Sequence, residues 1–401
     1  MRRWQKILFG IIFLVLLSQL PFAYRRRKLL RLQTAIQELK SERVASADPL
    51  FQEYKGVSHV HSFLGGHSSG NFQDIVEAAR TNELDFVLMT EHTEKDINTA
   101  AMTLRGSYGN TLFVNGNEAS VNNVGRLLLI PGLESQSDAS SSLETLSQQA
   151  KAKQGLAIVA YPQEFAGWNT NAYDGVEVYN VYSNAREMNR AAMLFDGLWS
   201  YRAYPTLLFA NFYSRPSGNL RLWDEAVSHG RRLTALAGND AHANVGVALR
   251  DAGGKTLLGL QLDPYARSFA LVRVHLLLPR NQGLTSESLL GALREGHCFI
   301  GFDLFSDTTG FRFTGTSGGE TRIQGDELSL LGDARLTVSA PLPGRIVLLR
   351  NGTAVQEQTG KNIAEFGIKE AGNYRCEVYL PQLPHSVRAE PWIISNPIYV
   401  R

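Results

Sequence analysis

Cysteine is nearly absent: Cys298 and Cys376 are the only two in 401 residues, and neither sits in a CxxC or similar ligand spacing. Thiolate metal sites are therefore excluded, and two buried thiols are expected rather than a disulfide framework. Net charge is almost absent too, at +2, but it sums two unlike parts. The first 40 positions hold nine of the 40 basic residues and one of the 38 acidic ones, which leaves the remainder with 31 bases against 37 acids. A body near −6 offers no cationic track for long duplex nucleic acid. Familiar catalytic signatures are missing as well. There is no Ser/His/Asp nucleophile set and no dinucleotide fingerprint, and the glycine-rich GGHSSG lacks the lysine of a phosphate-cradling loop.

What is present begins with a long apolar run. MRRWQK is followed by ILFGIIFLVLLSQLPFAY and then by RRRK. The run is long enough for a short spanning helix, and its end lacks the small residues of a cleavage site, so residues 1–24 are expected to be an uncleaved single-pass anchor, as in a bacterial inner membrane. Arg25, Arg26, Arg27, Lys28 and Arg31 outnumber Arg2, Arg3 and Lys6, which favours a cytoplasmic body but leaves the side open. Residues 25–50 read as a juxtamembrane helix and linker, with KLLRLQTAIQELKSERV at helical spacing.

From residue 51 short apolar runs alternate with helical patterns such as NFQDIVEAARTN, SSLETLSQQAKAKQ, EMNRAAMLFDGLWS and NLRLWDEAVSHG. This rhythm predicts an α/β fold with a mainly parallel sheet over 51–306. Near residue 307 the texture becomes rich in Gly, Ser and Thr, followed by short strands, so 307–401 is expected to be a small β-sandwich.

The chemistry gathers at strand ends. GVSHVHSFLGGHSSG places His59, His61 and His67 within nine positions, and residues two apart on a strand share a face. TEHT supplies Glu91 and His92, GNEAS supplies Glu118, and GNDAH supplies Asp240 and His242. Five of the nine histidines thus fall where the C-terminal strand ends of a parallel barrel converge. His229, His275, His297 and His385 have structural or surface readings.

HVHS with His67 six residues on, TEHT, GNEAS, YPQ and GNDAH, in this order over about residues 54–305, resemble the PHP (polymerase and histidinol phosphatase) family. The resemblance implies a distorted (β/α)7 barrel holding divalent ions. It implies His59, His61, Glu118 and Asp240 around one ion and His67, His92 and His242 around a second, with Glu118 able to bridge. Zn, Mn and Fe all suit such donors. Where the family has histidines for a third ion, this chain has Arg126 and Tyr161, so two ions are expected and the third site is lost. Arg126 and Tyr161 are expected to contact a phosphate, and Glu91 to orient a ligand imidazole or accept a proton. Glu177 and Asn180 are expected to form wall or support. The implied function is hydrolysis of a phosphomonoester, or of a phosphate at a nucleotide or oligonucleotide end, with a small phosphorylated substrate favoured. The alternative is a degenerate metal-binding or sensory module displayed at a membrane. In that alternative the β-sandwich is the interaction surface, and the sequence leaves the identity of a protein partner open.

Overall fold

The computed structural model describes residues 3–44, 48–133, 141–186, 196–197, 199–250 and 256–401. The helix expected over EMNRAAMLFDGLWS lies largely outside them.

The N-terminal apolar run and the juxtamembrane pattern form one helix, α1 (Arg3–Glu42). Its first half is long and apolar enough to cross a membrane, and its side chains are exposed. In its second half Leu29, Leu32, Ile36 and Leu39, one stripe at helical spacing, are buried against the body. Polar ties accompany that stripe. Arg25 forms a two-pronged pair with Asp196, Arg26 donates to the Trp199 carbonyl, and Arg43 donates to the carbonyls of Asp307 and Thr309.

Strands β1 (Phe51–Val60), β2 (Phe86–Met89), β3 (Glu91–His92), β4 (Gly106–Tyr108), β5 (Thr111–Val114), β6 (Asn117–Val121), β7 (Gly125–Ile130), β8 (Leu156–Ala160), β9 (Gly175–Asn180) and β10 (Thr234–Gly238) follow in order. After a hairpin of β11 (Gly246–Arg250) and β12 (Thr256–Gln261) come β13 (Arg273–Pro279) and β14 (Cys298–Gly301). The helices Phe72–Thr81, Leu143–Ala152 and Ser217–Ser228 match the sequence patterns, the first closed by a capping box on Asn71 and Asp74.

Two sheets share these strands. One contains β4-β5-β2-β1-β13-β14, and the other runs β3-β6-β7-β8-β9-β10. They meet at the end of β1, where Val60 bridges Ala241 and the N–H groups of Asn239 and Ala241 donate to the carbonyls of Ser58 and His59. Among the described residues no ring of paired strands closes, so the expected barrel is an α/β body with a seam. The pairing is also more mixed than expected. β1–β2, β3–β6, β8–β9 and β9–β10 are parallel, but β6–β7 and β7–β8 are antiparallel. The short turn Asn122–Val124 between β6 and β7 leaves no room for a crossover helix, which forces that reversal.

The C-terminal strands do not separate into their own paired unit. Pro391–Ser395 pairs with β14, and Gly372–Tyr379 and Arg335–Arg350 extend the same sheet. The Gly/Ser/Thr-rich stretch that reads as a boundary carries Phe311 and Phe313, and these with Phe302 and Phe305 just before it are buried in a core shared with Phe299, Trp392 and Ile393.

Candidate metal centre

Most charged and imidazole groups of the site come from the first or last residues of a strand or the turn just after it, while Glu177 lies within β9 and His67 in the loop after β1. β1 delivers His59 and His61, but not by simple alternation: the β1–β2 register shifts between Val57 and Val60, and His59 has φ 60°. Tyr161, after β8, and Asp240, after β10, also take positive φ, 50° and 48°. Such backbone costs about 1–3 kcal/mol per residue and persists where the surroundings over-determine it. Here the three strained residues are mutual neighbours: Tyr161 Oη donates to Asp240 Oδ2 at 2.8 Å, and His59 Nε2 lies 3.5 Å from Asp240 Oδ1.

The loop after β1 folds back on itself. Phe63 N–H donates to the Gly70 carbonyl, Ser69 N–H to that of His242, and Gly66 turns the chain at φ 81°. Tyr265 Oη and Ser68 Oγ clamp the carbonyls of His61 and His242, each at 2.5 Å. His67 is thereby carried to the exposed rim, its Nε2 3.1 Å from that of His92.

At the centre are four inward donor atoms. His59 Nε2 and His61 Nε2 lie 3.3 and 3.4 Å from Glu118 Oε2, and 3.5 and 3.6 Å from Asp240 Oδ1. Ligands about 2.0–2.1 Å from one ion in tetrahedral array stand about 3.3–3.4 Å apart, so this spacing fits a shared cation. A second group joins through His61: its donor atoms, with those of His92 and His242, lie within 4.8 Å of one another. His92 Nδ1 is 3.2 Å from the same Glu118 Oε2, and His242 Nδ1 is 3.3 Å from Asp240 Oδ1. Both nitrogens of His61, Asp240 Oδ1 and His242 Nε2 are buried without a hydrogen bond. Buried polar atoms left so are costly unless something else satisfies them, and a divalent ion fits this donor set.

The outer oxygens of the two inner carboxylates are tied. Arg126 Nη1 donates to Glu118 Oε1 at 2.7 Å, and Tyr161 and Asn180 take Asp240 Oδ2. Glu177 Oε1 lies 2.8 Å from His59 Nδ1, and its other oxygen accepts from Asn180. Each carboxylate therefore presents a single oxygen inward, and His59 presents Nε2. Arg126 and Tyr161 thus touch the inner carboxylates themselves, with the guanidinium 5.6 Å from the phenol ring centre.

Electrostatics follow from burial and these pairs. Burial holds His61 down at about 3 and His92 at about 4, and lowers His242, which keeps these imidazoles in the neutral, ligating form. His59 is raised well above its ordinary value: burial opposes this, but Glu177 and Asp240 outweigh it. Burial also works against the charged forms of Glu118 and Asp240, yet the surrounding histidines hold both low. Burial pushes the Tyr161 phenol far up, with Asp240 adding to it, so it stays a neutral donor. The centre draws positive charge.

Glu91 lies elsewhere than expected. Its buried carboxylate accepts from the Ser62 N–H at 2.9 Å and from Thr103 Oγ1 at 2.7 Å. It braces the loop after His61, and neither bond reaches an imidazole. The missed neighbours are Tyr265 and Ser68, which no motif marks, and Gly238, where a Cβ would stand 1.4 Å from Glu177 Oε1.

No family model matches the chain, and no curated protein matches it. Two solved structures are similar over much of its length. A two-domain protein from Bacteroides vulgatus ATCC 8482, described as containing a predicted PHP-like metal-dependent phosphoesterase, is 12% identical with a TM-score of 0.38, covering 88% of this chain and 98% of that one. PsfC from Pseudomonas syringae PB-5123 is 13% identical with a TM-score of 0.38, covering 61% and 90%. Overlays this loose transfer no residue role.

Proposed function

We propose that this chain is a metal-dependent phosphoesterase that hydrolyses a phosphomonoester or a nucleotide-end phosphate. One observation carries the reading: the inward atoms of His59, His61, Glu118 and Asp240 converge at 3.3–3.6 Å while every outer carboxylate atom is tied. The order HVHS, TEHT, GNEAS and GNDAH, resembling the PHP family, supports a phosphate ester as the bond attacked. Divalent ions held by this set and by His67, His92 and His242 would supply the Lewis acidity for attack by water at phosphorus. Zn, Mn and Fe are all compatible with these donors.

The chain's own groups orient and neutralise. Glu177 fixes which nitrogen of His59 faces inward, and the loop clamps hold His61 and His242 in place. Arg126, with 45% of its side chain exposed, spends one N–H on Glu118 and keeps others for a phosphate oxygen. We read α1 as the anchor that holds this centre at a membrane.

The test is elemental analysis of the full chain purified without chelator, alongside hydrolysis of an aryl phosphate with added Mn or Zn. About two ions per chain are expected, with turnover lost in the His59→Ala/His61→Ala variant. Bound metal without turnover of any phosphate ester would replace the enzyme with a binding module. Metal in neither protein would remove the ligand set.

A further inference from the structure

A cavity of ≈ 390 Å³ lies beside the metal centre, within the size range of small-molecule sites. Its lining includes Asn239, Asp240 and Ala241, the segment carrying one of the inward carboxylates, and also Arg25, the first cation after the apolar run of α1. It therefore reaches from the edge of the centre to the point where α1 stops being apolar. Just before that point Phe22 stacks on Trp199, with ring centres 6.2 Å apart and planes 11° apart. Trp199 is 40% exposed and Tyr182 of the lining 46% exposed, as aromatic residues at a bilayer surface are.

The walls are mostly apolar: Val181, Ala185, Leu208, Phe209, Phe212 and Val245. Most polar groups among them are already engaged, Asn239 Oδ1 being buried without a partner. Asp196 is held by Arg25 and Asn211, Asp263 accepts from the N–H groups of Asn244 and Val245, and Asn239 donates to the Ser268 carbonyl. A base or sugar placed there would find that single acceptor and leave most of its own polar groups unpaired, at a cost a hydrocarbon chain does not incur.

We propose that this cavity takes the hydrocarbon chain of an amphiphilic phosphate ester drawn from the membrane that α1 crosses, with the phosphate presented to the metal centre. The phosphate half rests on the phosphoesterase reading; the chain half rests on the cavity alone. One water is consumed, the P–O bond to the chain's oxygen breaks, and that oxygen takes a proton, giving a long-chain alcohol and inorganic phosphate.

The experiment uses the full chain in phosphatidylcholine nanodiscs with butyl and dodecyl phosphate as substrates. A fully buried methylene contributes about fourfold, so kcat/KM is expected to be at least about tenfold higher for dodecyl than for butyl phosphate. Filling the cavity by Ala185→Trp is expected to collapse that ratio towards one, while partition into the same disc is unchanged. A dodecylphosphonate with a terminal diazirine supplies a readout independent of turnover: on irradiation it is expected to label the peptides spanning 181–186 and 205–212, and not in Ala185→Trp. A flat chain-length profile with label elsewhere would overturn the proposal and leave the phosphoesterase standing. No turnover of any phosphate with the label in place would overturn the phosphate half and leave the chain site.

Discussion

Arg126 and Tyr161 occupy the positions where the resembled family places histidines, and each touches a different inner carboxylate. The guanidinium supplies at Glu118 the positive charge that an ion would otherwise bring, while the phenol neutralises nothing and only directs Asp240. Restoring both histidines, Arg126→His with Tyr161→His, is expected to raise metal content by about one ion per chain, read by elemental analysis. An unchanged count would mean that the neighbouring backbone cannot aim two imidazoles at one point. The histidines and acids that gather here were legible in the sequence because their types and spacings are unusual. Their supports were legible only in part: Glu177 and Asn180 stood out at a strand end, whereas the contact between Arg126 and Tyr161 depends on the register that sets Arg126 opposite Ala160. Glu91 shows the opposite error. Adjacency to His92 suggested a shared task, yet successive strand residues face opposite ways, and Glu91 turns to Ser62 and Thr103 instead.

At the level of elements, β10 must pass so close to β9 that only glycine fits at 238, where a Cβ would also lie 2.9 Å from His59 Cβ. Gly238→Ala is expected to cost about 1–3 kcal/mol and, by moving Glu177 off His59, to lower metal affinity about 10- to 100-fold in chelator competition. Alternation of strands and helices was readable from residue 51 onward, whereas the antiparallel β6–β7–β8 run follows from turn length and is hidden from periodicity. A second buried cluster tests β13. His275 lies between Glu53 of β1, at 2.8 Å, and Asp303, at 3.3 Å, with Thr308 at 2.9 Å. Burial pulls its pKa down, but Asp303 and Glu53 carry it up to about 9; Arg273 and Arg312 also pair with those acids. A raised histidine stabilises fully below its unfolded value near 6.5 and loses that contribution as pH climbs through about 9. Urea unfolding is therefore expected to show up to about 3 kcal/mol less stability at about pH 9.5 than at about pH 6, a difference reduced in His275→Asn. Equal slopes in both proteins would remove the buried imidazolium.

For the whole molecule, the decisive feature is that α1 is both the apolar segment and part of the body. Composition separates a run ending at Tyr24 from an amphipathic stretch, and the structure makes them one helix whose second half is packed in the core. That packing belongs to tertiary structure, so the sequence stretch reads equally well as a free juxtamembrane helix. It predicts two different truncations. A chain starting at Tyr24 keeps the Arg25–Asp196 pair and the buried stripe of Leu29, Leu32, Ile36 and Leu39, and is expected to fold without detergent and to retain hydrolysis of a soluble aryl phosphate. A chain starting at Phe51 uncovers the surface beneath that stripe. Four aliphatic side chains at about 1.5–3 kcal/mol each set the scale, so its Tm is expected to fall by about 10 °C or more, with aggregation following. Should the two truncated chains melt together, the second half of α1 would be a tether rather than a piece of the core, and the cavity that Arg25 helps to line would lose its fixed wall.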